Sequence, residues 1–234
     1  VNPDVRERFI SFYVAFFFMR LKAVFLNCTL KYPPEVSNTR ALIDRAVEIF
    51  SELGVESEVI RMTDYNIKFG TSSYMGDDDE WPEIYEKIKQ ADIIIIGSPI
   101  WFGVRSSIAQ LVLERLDGSY ADGDPVTGRY PLYGKAAGVI VTGNEDGAHN
   151  VAANTLFNLT HLGCTVPPNA DCYWVGDAGP GPSYIEAGGD KHLYTNRTVR
   201  YMAHNLAWMA RILKENKNPV NLKKLDEEAK KVSR

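Results

Sequence analysis

The chain has 234 residues, 45% of them hydrophobic, enough for one large domain with a real core. Its formal net charge is only −4 and its 26 basic residues are scattered, which argues against a nucleic-acid partner. Cys28, Cys164 and Cys172 are an odd number with no Cys-x-x-Cys pair, which argues against a disulfide framework or a zinc or iron–sulfur site and for a reducing, cytoplasmic setting.

In chain order, Phe9 to Met19 is almost wholly apolar, with Arg6 and Arg8 before it and Arg20 and Lys22 after. The run is shorter than the roughly 20 residues a membrane span needs, and no small-residue cleavage site follows it. No membrane span is predicted. Residues 1–18 are expected to come from a misplaced start site, because Met19 opens a natural α/β beginning; a short interfacial or dimer-contact segment is the alternative. Residues 19–217 then read as one α/β domain and 218–234 as a charged, frayed tail.

Ala23–Leu26 is the first predicted strand. Ser37 or Asn38 caps a helix whose apolar positions Leu42, Ala46, Phe50 and Leu53 recur every three to four residues, with Gly54 as a left-handed stop. Val55–Met62 is a second strand, and Pro82 suits the first turn of a helix ending near Ala91. Asp92 to Ile96 has no polar alternation and predicts a strand buried on both faces, as in a parallel sheet. A break at Gly97-Ser98-Pro99 follows, then a helix with Ile108, Leu111, Val112 and Leu116 on one face. Ala136–Val141 is the fourth strand, followed by a helix that Gly163 stops. A fifth strand falls within Thr165–Trp174, and the last long helix holds Val199 to Leu213. Strands alternating with helices predict a doubly wound, five-stranded parallel sheet with helices on both faces.

The chain carries no Gly-x-Gly-x-x-Gly after a strand, no phosphate-binding Gly-x-x-x-x-Gly-Lys-Ser/Thr and no Gly-x-Ser-x-Gly elbow. Three loops beyond strand ends remain. The first, Asn27-Cys28-Thr29 through Ser37-Asn38-Thr39, brings hydroxyls and amides to a helix start; it suits a phosphate and equally an ordinary cap. The second, Ser98–Ser106, offers Trp101 and Phe102 either to a flat ring or to the core. The third, Thr142–His149, can meet the polar edge of a heteroaromatic ring or serve only as a tight turn.

In their order and after their strands, Ser37-Asn38-Thr39, Ser98-Pro99-Ile100-Trp101-Phe102-Gly103 and Gly143-Asn144-Glu145-Asp146-Gly147 resemble the flavodoxin-like NADPH-dependent FMN reductase family, over roughly Leu21 to Lys214. The first loop departs from that family's Gly-Ser-x-Arg opening, having Asn27-Cys28-Thr29-Leu30-Lys31. The resemblance implies a flavodoxin-like FMN-binding domain. By position, Thr29, Ser37, Asn38 and Thr39 would hold the FMN phosphate. Pro99, Ile100, Trp101, Phe102 and Gly103 would border the ring, as would Asn144, Glu145, Asp146 and Gly147. It further implies an FMN-dependent oxidoreductase that takes hydride from NAD(P)H and passes electrons to a flavin, quinone or other small acceptor, as a homodimer or homotetramer. A flavodoxin-type electron carrier, or a flavin-binding module without turnover, is the alternative. No catalytic acid or base and no metal ligand is nominated. His149 is read as a local hydrogen-bonding group, and Asp77-Asp78-Asp79-Glu80 as carboxylates complementing a helix N-terminus. Tyr120–Tyr133 is expected as a surface excursion beside the cofactor. Tyr173, Trp174 and Tyr184 would either shape a second-substrate site or fill the core.

Overall fold

A computed structural model describes residues 20–179 and 181–233; the expectation for residues 1–18 lies outside them. Strands β1 (Leu21–Asn27), β2 (Val55–Arg61), β3 (Ile93–Trp101), β5 (Ala136–Gly143) and β6 (Asp171–Val175) form a parallel sheet in the order β2-β1-β3-β5-β6. A two-residue strand β4 (Val104–Arg105) turns back antiparallel on the end of β3. The helices are α1 (Asn38–Glu52), α2 (Trp81–Gln90), α3 (Ser107–Asp117), α4 (Ala148–His161), α5 (Leu193–Glu215) and α6 (Leu222–Val232). This is the flavodoxin-like doubly wound arrangement, whose strand order reverses at β1/β3.

The unbroken isoleucine run explains why both faces are covered. Ile93 and Ile95 join Phe25, α1 and α5 in one core, while Ile94 and Ile96 join Leu26, α2 and α3 in the other. Gly97 lets α1 lie close to the sheet, because a Cβ there would sit 2.7 Å from Ile43 Cδ1.

Four expectations are corrected. First, β3 does not break at Gly97-Ser98-Pro99 but runs through it to Trp101. Pairing with β1 ends at Gly97, whose carbonyl accepts from Cys28 N at 2.8 Å. Pro99, two residues on, turns its missing N–H toward the side that β1 has left, while β5 still pairs β3 up to Pro99. Second, the tail folds into α6, capped by Asn221 accepting from Lys224 N and tied by Leu222 N to Thr127 O, although none of its residues is buried. Third, Tyr120–Tyr133 lies at the amino edge of the sheet, since α3 runs back against the strands before releasing it. There Asp122, Asp124, Arg129 and Tyr130 share a cleft with Asp92, at the start of β3, and with Lys214. Fourth, Asp79 does not serve the α2 dipole chiefly; it forms a fully buried pair with Arg115 at 2.7 and 2.9 Å.

Candidate functional site

Successive strands end together at the carboxyl edge, and their loops enclose a cleft of about 320 Å³. That is the edge at which open α/β sheets bind ligands. Larger hollows of about 460 Å³ at the amino edge and about 610 Å³ between α3 and α4 contain none of the candidate residues. The cleft walls are Thr29, Leu30 and Lys31 after β1, Asn38 and Thr39 at the head of α1, and Pro99, Ile100 and Trp101 on β3. Thr142 and Gly143 at the end of β5, Asn144 and Glu145 after it, and Trp174, Ser183 and Tyr184 complete it. All three predicted loops therefore meet in one place.

The two ends of the cleft differ in chemistry. At one, the first intrahelical bond of α1 is Ala41 N to Ser37 O, so the N–H groups of Asn38 and Thr39 have no intrahelical acceptor. The hydroxyls of Thr29 and Thr39 stand beside them, and Lys31 places its ammonium 3.0 Å from Val36 O. Thr39 Oγ1 and Thr142 Oγ1 are 2.7 Å apart, joining α1 to β5 beneath the cleft. At the other end Trp101 is 49% exposed, a large ring left open on the cleft wall.

Five candidates do not line the cleft: Ser37, Phe102, Gly103, Asp146 and Gly147. Ser37 is buried, accepts from Arg40 N at 3.1 Å as the α1 cap and pairs with the Asn27 amide. Phe102 stands at the hairpin tip, 92% exposed and with φ +50°, held by its N–H donating to Glu145 Oε1 at 2.8 Å. Gly147 caps α4 and packs on Gly103, whose carbonyl accepts from Asn150. His149 bonds Tyr173 Oη at 3.0 Å, away from the cleft walls.

Sequence reasoning placed Leu30 in the first loop and Thr142 and Gly143 in the third without giving them individual roles, and it missed Ser183. Ser183 lies in an aperiodic Gly/Pro stretch with no local signal. Trp174 and Tyr184 both line the cleft, their rings packed edge-on at 5.6 Å, whereas Tyr173 bonds Tyr194 Oη and His149 instead. Burial pushes the Tyr184 phenol up to about 12, so it stays a neutral hydroxyl. Burial likewise pushes the Cys164 and Cys172 thiols up to about 12, leaving neither as a ready nucleophile.

The donor set fits a flavin phosphate: helix-start N–H groups without an intrahelical acceptor, hydroxyls and the Lys31 ammonium at one end, and an open aromatic at the other. Comparison with known proteins agrees. Residues 21–177 match the NADPH-dependent FMN reductase family. The 8-demethyl-8-aminoriboflavin-5'-phosphate synthase of Streptomyces davaonensis is 42% identical over 228 residues, covering 92% of this chain and 87% of that protein. The crystal structure of RosB with the bound intermediate 8-demethyl-8-formylriboflavin-5'-phosphate superposes with a TM-score of 0.85 at 41% identity, covering 92% of this chain and 88% of that one. The apo form of the NADH:FMN oxidoreductase EMOB shares the fold at 16% identity, with a TM-score of 0.55 over 85% of this chain and 92% of that one. No helix among the described residues is long and apolar enough to cross a membrane. The chain belongs to the NADPH-dependent FMN reductase family and is an FMN-binding oxidoreductase of that family.

Proposed function

We propose that the cleft holds FMN with its phosphate at the head of α1 and its ring between Trp101 and the Thr142–Glu145 turn. With FMN held there, the protein would act as an oxidoreductase between NAD(P)H and a small acceptor such as a second flavin or a quinone. The observation that carries this reading is the make-up of the cleft, with helix-start N–H groups, hydroxyls and Lys31 at one end and an open aromatic at the other. Bound there, FMN supplies the redox chemistry. The chain's own residues hold and orient it. Thr29, Thr39 and the Asn38 and Thr39 N–H groups take the phosphate, and Lys31 adds charge. Glu145, fixed by Phe102 N, presents its remaining acceptor capacity to the polar edge of the ring. Trp101 borders the ring. Free cysteines, all buried, support a cytoplasmic setting. The exposed hairpin residues Phe102 and Val104 support a homodimer or homotetramer, which light scattering would size.

The first test is anaerobic addition of NADPH or NADH to the FMN-loaded protein. Loss of the yellow absorbance is expected, and no loss would favour an electron carrier. Trp101→Ala should weaken FMN binding and slow this reduction while leaving the melting temperature of the FMN-free protein nearly unchanged, because Trp101 lies outside the buried clusters. A large drop in that melting temperature with unaltered flavin behaviour would sink the assignment of Trp101 to the ring.

A second reading treats FMN as a substrate altered at ring position 8. It rests on the 42% identical relative being a synthase of 8-demethyl-8-aminoriboflavin-5'-phosphate. Mass spectrometry of the flavin recovered after turnover separates the two: unchanged FMN supports the reductase, and a changed ring substituent supports the synthase.

A further inference from the structure

We infer that the segment Gly181–Ile185 is a ligand-binding wall of the cleft, that Ser183 on it meets the ribityl chain, and that Asn38 and Asn144 act on the ligand through this wall as positioning residues. The inference rests on the FMN reading above.

Asn38 Oδ1 accepts from Ile185 N at 2.8 Å, and Asn144 Nδ2 donates to Gly181 O at 2.6 Å. Each side chain bonds the backbone of one short segment, one at each end of it. The residues between the two tethers, Ser183 and Tyr184, line the cleft. Behind them the segment is braced: Ser183 O accepts from Ala187 N and Tyr184 O from Gly189 N, both at 2.8 Å, while the Tyr184 ring packs on Trp174.

Position gives the wall its chemistry. Asn38 belongs to the head of α1, the phosphate end, and Asn144 to the turn after β5, the ring end. A segment tied to both passes its middle between them, where FMN carries its polyol. Tyr184 is only 2% exposed and its Oη is closed off from the cleft, so its ring forms the packed back of the wall. Ser183 is half-buried and lines the cleft, and a polyol supplies donors and acceptors to its hydroxyl.

The test is fluorescence titration with FMN, riboflavin and lumiflavin, the last having neither phosphate nor polyol. Ser183→Ala should weaken FMN and riboflavin by about three- to tenfold, the size of one neutral hydrogen bond, and leave lumiflavin unchanged. Asn38→Ala should weaken FMN and riboflavin by the same factor and, without ligand, speed amide hydrogen exchange at Ile185. Loss confined to FMN in Asn38→Ala would make that residue a phosphate ligand and overturn its positioning role. Unchanged exchange at Ile185 would overturn the tether. Unchanged affinities, or equal weakening of lumiflavin, in Ser183→Ala would overturn the ribityl assignment. A parent protein that binds none of the three flavins would instead overturn the FMN reading itself, with the exchange measurement still reporting on the tether.

Discussion

Arg115→Met is expected to lower stability by about 3–5 kcal/mol, the range for removing one partner of a buried ion pair. Arg115 and Asp79 are both fully buried and joined by two hydrogen bonds. The guanidinium also donates to Lys68 O at 2.8 Å and Ser72 O at 3.0 Å, and it lies over the Trp81 ring. One side chain on α3 thus holds the whole connection from Lys68 to Asp79 against the domain. Burial alone would raise the Asp79 carboxyl, but Arg115 and the amides of Lys68 and Met75 outweigh it and hold it at about 2. Its folded-state value is below the ordinary 3.8, so its contribution is present above that value and is lost as pH falls toward 2. In Arg115→Met, burial goes unopposed by the guanidinium, and the carboxyl titrates higher. The stability deficit of the variant should therefore be widest near neutrality and narrow on acidification. Urea melts across that pH range measure it. Adding Asp79→Asn should recover part of the loss; a deficit independent of pH and of Asp79 would show that Arg115 acts by packing alone.

What the chain made readable was local and periodic. The isoleucine run at 93–96, the three-to-four spacing in α1 and α5 and the glycines after α1 and α4 each carry their structure in adjacent residues, and five parallel strands follow from them. The loops at the cleft were legible for the same reason: each follows a strand end. What stayed hidden was set by distant partners. Arg115 sits in an amphipathic helix, and nothing near it announces a carboxylate 36 residues earlier. Asn38 reads as a helix-start amide with any of several uses; its bond to Ile185 spans 147 residues. Pro99 looks like a strand breaker because its tolerance depends on where β1 stops. In α6, charge masked the spacing of Leu222, Leu225, Ala229 and Val232, and the helix takes its anchor from Thr127 instead of a core.

Gly147→Ala should be far more damaging than Gly103→Ala, although both glycines have positive φ and face one another. At Gly147, φ is +129°, and a Cβ would sit 2.6 Å from the Cα and carbonyl oxygen of Gly103. Backbone cannot yield as a flexible side chain does. The variant therefore meets about 1–3 kcal/mol of conformational strain plus an overpacking cost of about 1–3 kcal/mol. At Gly103, φ is +77° and a Cβ would find only Asp146 O, at 3.8 Å. That variant pays for the conformation alone. Relief of the clash at Gly147 must push the β3–β4 hairpin away from the turn after β5. Trp101 would be carried off with it, as would the Phe102 N–H that holds Glu145. Gly147→Ala is accordingly expected to lose both melting temperature and flavin affinity, and Gly103→Ala only a little of the first. Thermal melts with and without FMN compare the two. Equal losses would mean that the contact between the glycines does not govern the ring end of the cleft, and that the turn and the hairpin are held by their side-chain bonds.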